Sequence, residues 1–113
     1  MPHFIIEYSE MIATEVQIPA LLDAVHAAAL SSELFPESHI KTRVIPVKFY
    51  RVGGGGHSFI HAQLRMKFGR SDAQKRALSH SVLAAIKNQR WPADVVTVEV
   101  VDMDVASYAK YIL

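Results

Sequence analysis

Cysteine is absent from all 113 residues, which removes disulfides, thiolate metal sites and thiol nucleophiles together. Glycine is scarce as well, and four of the five glycines stand side by side at 53–56. A phosphate-cradling loop needs a Lys-Ser/Thr pair and a helix directly after its glycines, and neither follows here. The run therefore reads as a flexible hairpin turn. No apolar stretch reaches the ~20 residues that span a bilayer. The first residues lack the basic segment and apolar stretch of a secretory leader. A net charge of +1 leaves no basic surplus for phosphate backbones. These absences lead to the expectation of a cytoplasmic protein with neither nucleic acid nor membrane as partner.

What is abundant is apolar surface, since half of the residues are hydrophobic. A chain of this length makes one domain, 1–113, with a modest core. The apolar surplus is then expected between subunits. Residues 3–8 alternate, with Phe4, Ile6 and Tyr8 on one face and His3, Ile5 and Glu7 on the other, the period of a strand. From Ile18 the spacing changes to Ile18, Leu21, Leu22, Val25 and Ala29, an amphipathic helix with Pro19 in its first turn. A second strand is expected from about Lys41 to Val52, and Pro46 within it implies an edge or a bulge.

After the glycines the order repeats. Ile60, Ala62, Leu64, Met66 and Phe68 alternate with His61, Gln63, Arg65 and Lys67, which places Phe68 in the core and Arg65 and Lys67 on a solvated face or a subunit contact. Ser71 and Gln74 form a capping box that opens a helix with the stripe Leu78, Val82, Ala85, Ile86 and Gln89. Trp91-Pro92 ends it. Residues 95–101 make the last strand, and a short helix is expected over 106–111. The fold class is α+β: two β-α-β units, pseudo-repeats at about 2–52 and 57–103, form a four-stranded sheet with two helices on one face. The other face of such a sheet is bare, and self-association is the economical cover.

Several side chains invite a chemical reading. His57 and His61 stand four apart, yet no third and fourth ligand accompany them. Asp102 and Asp104 resemble paired carboxylates but border a turn, so they read as a solvated strand end. Pro2 is the notable residue. With Met1 trimmed it carries a free secondary amine, a base that no internal residue offers. Without trimming it is only a strand starter, harmless because proline at a first position has no ladder partner to disappoint.

The N-terminal Pro-His-Phe-Ile-Ile-Glu-Tyr-Ser, the doubled β-α-β order, Ile-Lys-Thr-Arg-Val at 40–44 and Gly-Arg-Ser at 69–71 together resemble 5-carboxymethyl-2-hydroxymuconate isomerase of the tautomerase superfamily. The resemblance spans nearly the whole chain, and the N-terminal octet is its most specific part. It implies a homotrimer with no metal or cofactor, serving homoprotocatechuate (4-hydroxyphenylacetate) degradation. It implies Pro2 as catalytic base and Arg70 as a substrate-binding arginine. The second family arginine falls in an Arg-x-Arg pair, of which this chain keeps Arg43 but has Lys41 at the first position. Lysine supplies charge without a planar bidentate fork. His3 flanks the base and is a further candidate for substrate contact.

Elementary chemistry agrees with these expectations. A substrate with three carboxylates needs several cations, and a proton moving along a conjugated chain needs a base that works near neutral pH. An α-amine titrates near ~8, and burial or neighbouring cations lower it. Arg70 also precedes a helix N-terminus, where free N–H groups favour an anion. The expected activity is thus an isomerase acting on an unsaturated di- or tricarboxylate. The alternatives are a superfamily paralogue acting on another 2-oxo or halogenated acid, and a non-catalytic oligomeric binding module.

Overall fold

Alternation governs the first strand, β1 (His3–Ser9), which buries Phe4, Ile6 and Tyr8 and turns His3, Ile5 and Glu7 the other way. The computed structural model of the protein covers residues 1–113. A turn at Glu15–Gln17 leads into α1 (Ile18–Ser31), where the Thr14 N–H donates to Gln17 Oε1 at 2.9 Å and Pro19 occupies the first turn. Then come β2 (Lys41–Val47), β3 (Phe59–Met66), α2 (Asp72–Asn88) and β4 (Val95–Asp102). The sheet order is β2-β1-β3-β4, with β1 parallel to β2, antiparallel to β3, and β3 parallel to β4. Each parallel pair is joined by its helix, so the two β-α-β units meet at the antiparallel β1–β3 seam.

Both helices lie on one face of this sheet. Leu21 and Val25 from α1 and Leu78, Val82 and Ile86 from α2 close over Phe4, Ile6, Ile60, Leu64 and Met66. Tyr8 meets Trp91 edge to face at 5.0 Å, which ties the end of β1 to the chain leaving α2. The capping box is present: the Gln74 N–H donates to Ser71 Oγ at 3.1 Å and the Ser71 N–H to Gln74 Oε1 at 2.9 Å. Pro46 sits on β2, an outer strand, where its missing donor costs the sheet little. No helix is long and apolar enough to cross a membrane.

The structure corrects four expectations. β2 ends at Val47 rather than Val52, one residue past Pro46, and Tyr50 instead packs edge to face on Phe59 at 5.6 Å. β3 ends at Met66, so Phe68 is 54 % exposed and not part of the core. The last rung there is the Met103 N–H donating to Met66 O at 2.7 Å, after which Gly69, at φ +107°, turns the chain toward α2. α2 stops at Asn88, with Arg90 in the left-handed region, before Trp91 is reached. No helix forms over 106–111. Asp104 makes a single turn there, its carboxylate accepting from the Ser107 N–H at 3.0 Å and its carbonyl from the Tyr108 N–H at 3.1 Å.

Leu64 is fully buried between the sheet and the helices. Leu64→Ala is predicted to lower unfolding free energy by about 2–5 kcal/mol. Urea denaturation checks it, and a change below about 1 kcal/mol would show that this layer is not the core.

Candidate active site

Strand register assembles the site. His3 pairs with Lys41 on one side and with Arg65 on the other, so the start of β1 lies between the start of β2 and the end of β3. The Lys41 N–H donates to Pro2 O at 3.1 Å, which holds Pro2 in extension of the ladder. Pro2 continues the alternation of Phe4 and Ile6 and is buried on the helix-bearing side. Above it lies a small cleft of about 100 Å³. Phe35 and Pro36 form one wall, and Arg70, Lys67, Lys110 and His39 bring the ionisable groups. No carboxylate lines it.

Arg70 enters the cleft already oriented. Its Nη2 donates to Leu34 O at 2.9 Å and its Nη1 to Lys67 O at 3.2 Å. Its guanidinium carbon lies 5.1 Å from the centre of the Phe35 ring, and Phe35 in turn packs edge to face on Phe4 at 6.0 Å. The core thus props the ring and the ring props the cation. A guanidinium has five N–H donors. Two bonds to backbone carbonyls leave donors for an anion.

Positive charge without a compensating acid has an electrostatic consequence. The amine at the start of the chain, borne here by Met1, has its pKa lowered from 8.0 to about 6. Burial is the main cause, followed by the charges of Lys41, Lys110, Lys67 and Arg70. His39 is also pushed below the usual histidine range, by partial burial first and then by the amine, Lys110, Lys41 and Lys67. The Met1 amine is therefore mostly neutral at pH 7.

The remaining sequence candidates stand differently. Lys41 is at the rim, outside the cleft lining, and acts on the amine through its charge. Arg43 and His3 lie on the open face of the sheet, where Arg43 Nη1 donates to His3 Nδ1 at 3.0 Å. Arginine only donates, so the His3 ring accepts at Nδ1 and is neutral. Burial, then Arg43 and Lys41, push its pKa down in agreement. Of the cations singled out in the sequence, only Arg70 joins Pro2 in the cleft; Lys67, Lys110 and His39 were not foreseen there. The sequence signal for Lys67 was the Gly-Arg-Ser turn two residues on, which marks where β3 must stop.

A larger hollow of about 770 Å³ lies at the opposite end of the sheet, beside the glycine turn. Its acid is committed elsewhere. Asp94 accepts from the Ser58 N–H at 2.7 Å and from Ser58 Oγ at 3.2 Å, which lowers its pKa and joins the starts of β3 and β4. His57 Nδ1 stands 3.7 Å from the same carboxylate. His61 contacts Thr97 Oγ1 and Glu99 Oε2, each at 2.7 Å, so the two histidines serve different partners.

The sheet order and paired β-α-β units define a tautomerase fold, shared with solved structures across nearly the whole chain. A 5-carboxymethyl-2-hydroxymuconate isomerase from Deinococcus radiodurans superimposes with a TM-score of 0.85 at 22 % identity, over 97 % of this chain and 88 % of that one. A fused 4-OT symmetric trimer matches with a TM-score of 0.78 at 18 % identity, over 89 % of this chain and 85 % of the other. The model of the 5-carboxymethyl-2-hydroxymuconate isomerase family matches residues 2–99. The 5-carboxymethyl-2-hydroxymuconate Delta-isomerase of Escherichia coli is 30 % identical over 89 residues, 77 % of this chain and 71 % of the relative. The chain belongs to the 5-carboxymethyl-2-hydroxymuconate isomerase family and is an isomerase.

The chain-start amine is predicted to titrate near pH 6, protonated below and neutral above, and Lys67→Gln is predicted to move the midpoint upward. Acylation rate of that amine against pH measures both. A midpoint near pH 8, unmoved by the substitution, would show that the cleft's field does not reach it.

Proposed function

We propose that this isomerase converts 5-carboxymethyl-2-hydroxymuconate to its 2-oxo isomer without a cofactor, with Pro2, once freed of Met1, as the base. Its amine takes the proton of the 2-hydroxyl. The electron pair of that O–H bond forms the carbonyl, the double bonds shift along the chain, and a carbon takes the proton back from the ammonium. Composition is unchanged and the base is regenerated. The observation that carries this reading is Pro2 buried at the base of a cleft whose ionisable lining is three cations and a histidine. Arg70 takes a carboxylate with the donors it has left, and Lys41 adds charge at the rim. Arg43, steadied against His3, belongs to a cleft completed at a subunit boundary.

Assembly is part of the proposal. The open face exposes parts of Ile5, Ile45, Phe59, Val95 and Val101 beside its charged residues. A homotrimer with its sheets turned inward covers that face, and the similarity to a symmetric trimer supports it. We assign this reaction to homoprotocatechuate degradation, in the cytoplasm. Lys41, where family members often carry arginine, favours a second reading in which the substrate is another unsaturated 2-oxo acid.

Three outcomes are expected. Arg70→Ala lowers kcat/KM by about tenfold to a hundredfold, the worth of one or two charge-assisted bonds. In the wild type, kcat/KM rises with pH as the Pro2 amine loses its proton, with a midpoint below the ordinary α-amine value of ~8, because burial and neighbouring cations favour the neutral form. Sedimentation equilibrium gives three times the mass of one chain. Unchanged kinetics in Arg70→Ala, or a monomer at micromolar concentration, would contradict the reading.

A further inference from the structure

The chain after β4 returns to the site by a defined route. The Met103 N–H is bonded to Met66 O at 2.7 Å, and the Asp104 turn then reverses the chain through Ser107 and Tyr108. The Lys67 ammonium lies 5.6 Å from the centre of the Tyr108 ring, which fastens the segment to the end of β3. Two residues on, Lys110 lines the cleft beside Met1 and Pro2. The ion pairs of the fold engage Lys75 and three histidines, and leave Lys110 without an acid.

We infer that Lys110 is a specificity-determining substrate residue: the C-terminal segment is a strap that brings its ammonium to the third carboxylate of a tricarboxylate. The inference rests on the proposed reading of the cleft as the isomerase site, and it extends that reading by counting cations. Arg70 spends two bonds on Leu34 and Lys67 carbonyls. Lys67 also lacks an acid, but its ammonium is drawn toward the Tyr108 ring, 5.6 Å from the ring centre, whereas Lys110 has no such contact. A dicarboxylate is served by Arg70 and the rim charge of Lys41. An added carboxylate needs one more unpaired cation, and Lys110 supplies it. Lysine suits the task, since a flexible stem carries a point charge to whichever oxygen faces the strap.

A matched pair of stable probes tests this without turnover: propane-1,2,3-tricarboxylate and glutarate, which differ by the one carboxylate. Calorimetric titration of the full chain is expected to show tighter binding of the tricarboxylate. Lys110→Gln weakens the tricarboxylate about tenfold and glutarate by less than about twofold, as loss of one charge-assisted contact requires. Lys110→Arg keeps most of the preference. Equal weakening of both probes, no weakening, or a wild type without preference overturns the inference. The two levels separate cleanly: selective tricarboxylate binding without muconate turnover contradicts the isomerase chemistry and leaves the strap standing. Normal turnover with no Lys110 selectivity removes the strap alone.

Discussion

β1 cannot slip by one residue against its neighbours without turning Phe4, Ile6 and Tyr8 out of the core and His3, Ile5 and Glu7 into it. That register, enforced by burial along the strand, is what the site depends on. It fixes Pro2 on the helix side, sets the start of β2 beside it through the Lys41–Pro2 rung, and brings the end of β3 alongside. Because β3 must also end there, the turn through Gly69 delivers Arg70 and Lys67 to one place. The position of the cations follows from the packing of residues that never touch the cleft.

The second constraint is electrostatic. Bringing Arg70, Lys67 and Lys110 together with no acid among them is unfavourable, by roughly 1 kcal/mol for each exposed pair at 4 Å and several times more where water is partly excluded. An anion relieves that cost, and so does a neutral amine. The same field suits an anionic ligand and, after burial, helps to lower the pKa of the chain-start amine. Affinity for an anion and the neutral fraction of the amine thus both depend on that charge distribution.

The fold was legible in the sequence because its signals were local. Alternation in residues 3–8 and 60–66, the Ser71–Gln74 capping box and the apolar stripe of α2 each required only a short window. Arg70 stood out through the family resemblance and its place before a capped helix start, and the structure sets it in the cleft with Pro2. Lys67 was misplaced because alternation continued on paper to Phe68, while the strand ended at Met66 where the Met103 rung closes the ladder. Lys110 gave no signal, for its place depends on a turn made by the Asp104 side chain where helical spacing was expected. The His3–Arg43 bond was hidden for a like reason, as it joins adjacent strands separated by a helix in the chain. Local periodicity reveals elements. What meets at their ends is decided by register and by single turns.

The proposed isomerisation turns on proton transfer by the amine of Pro2. The most direct measurement compares isomerisation of 5-carboxymethyl-2-hydroxymuconate by two preparations whose intact masses show Met1 retained or removed. With Met1 attached, the Pro2 nitrogen is an amide without a basic lone pair. The trimmed protein is expected to turn over, and the untrimmed one to be slower by about a hundredfold or more, the usual weight of a general base. Equal rates would contradict that role and leave Pro2 as no more than the residue before a strand.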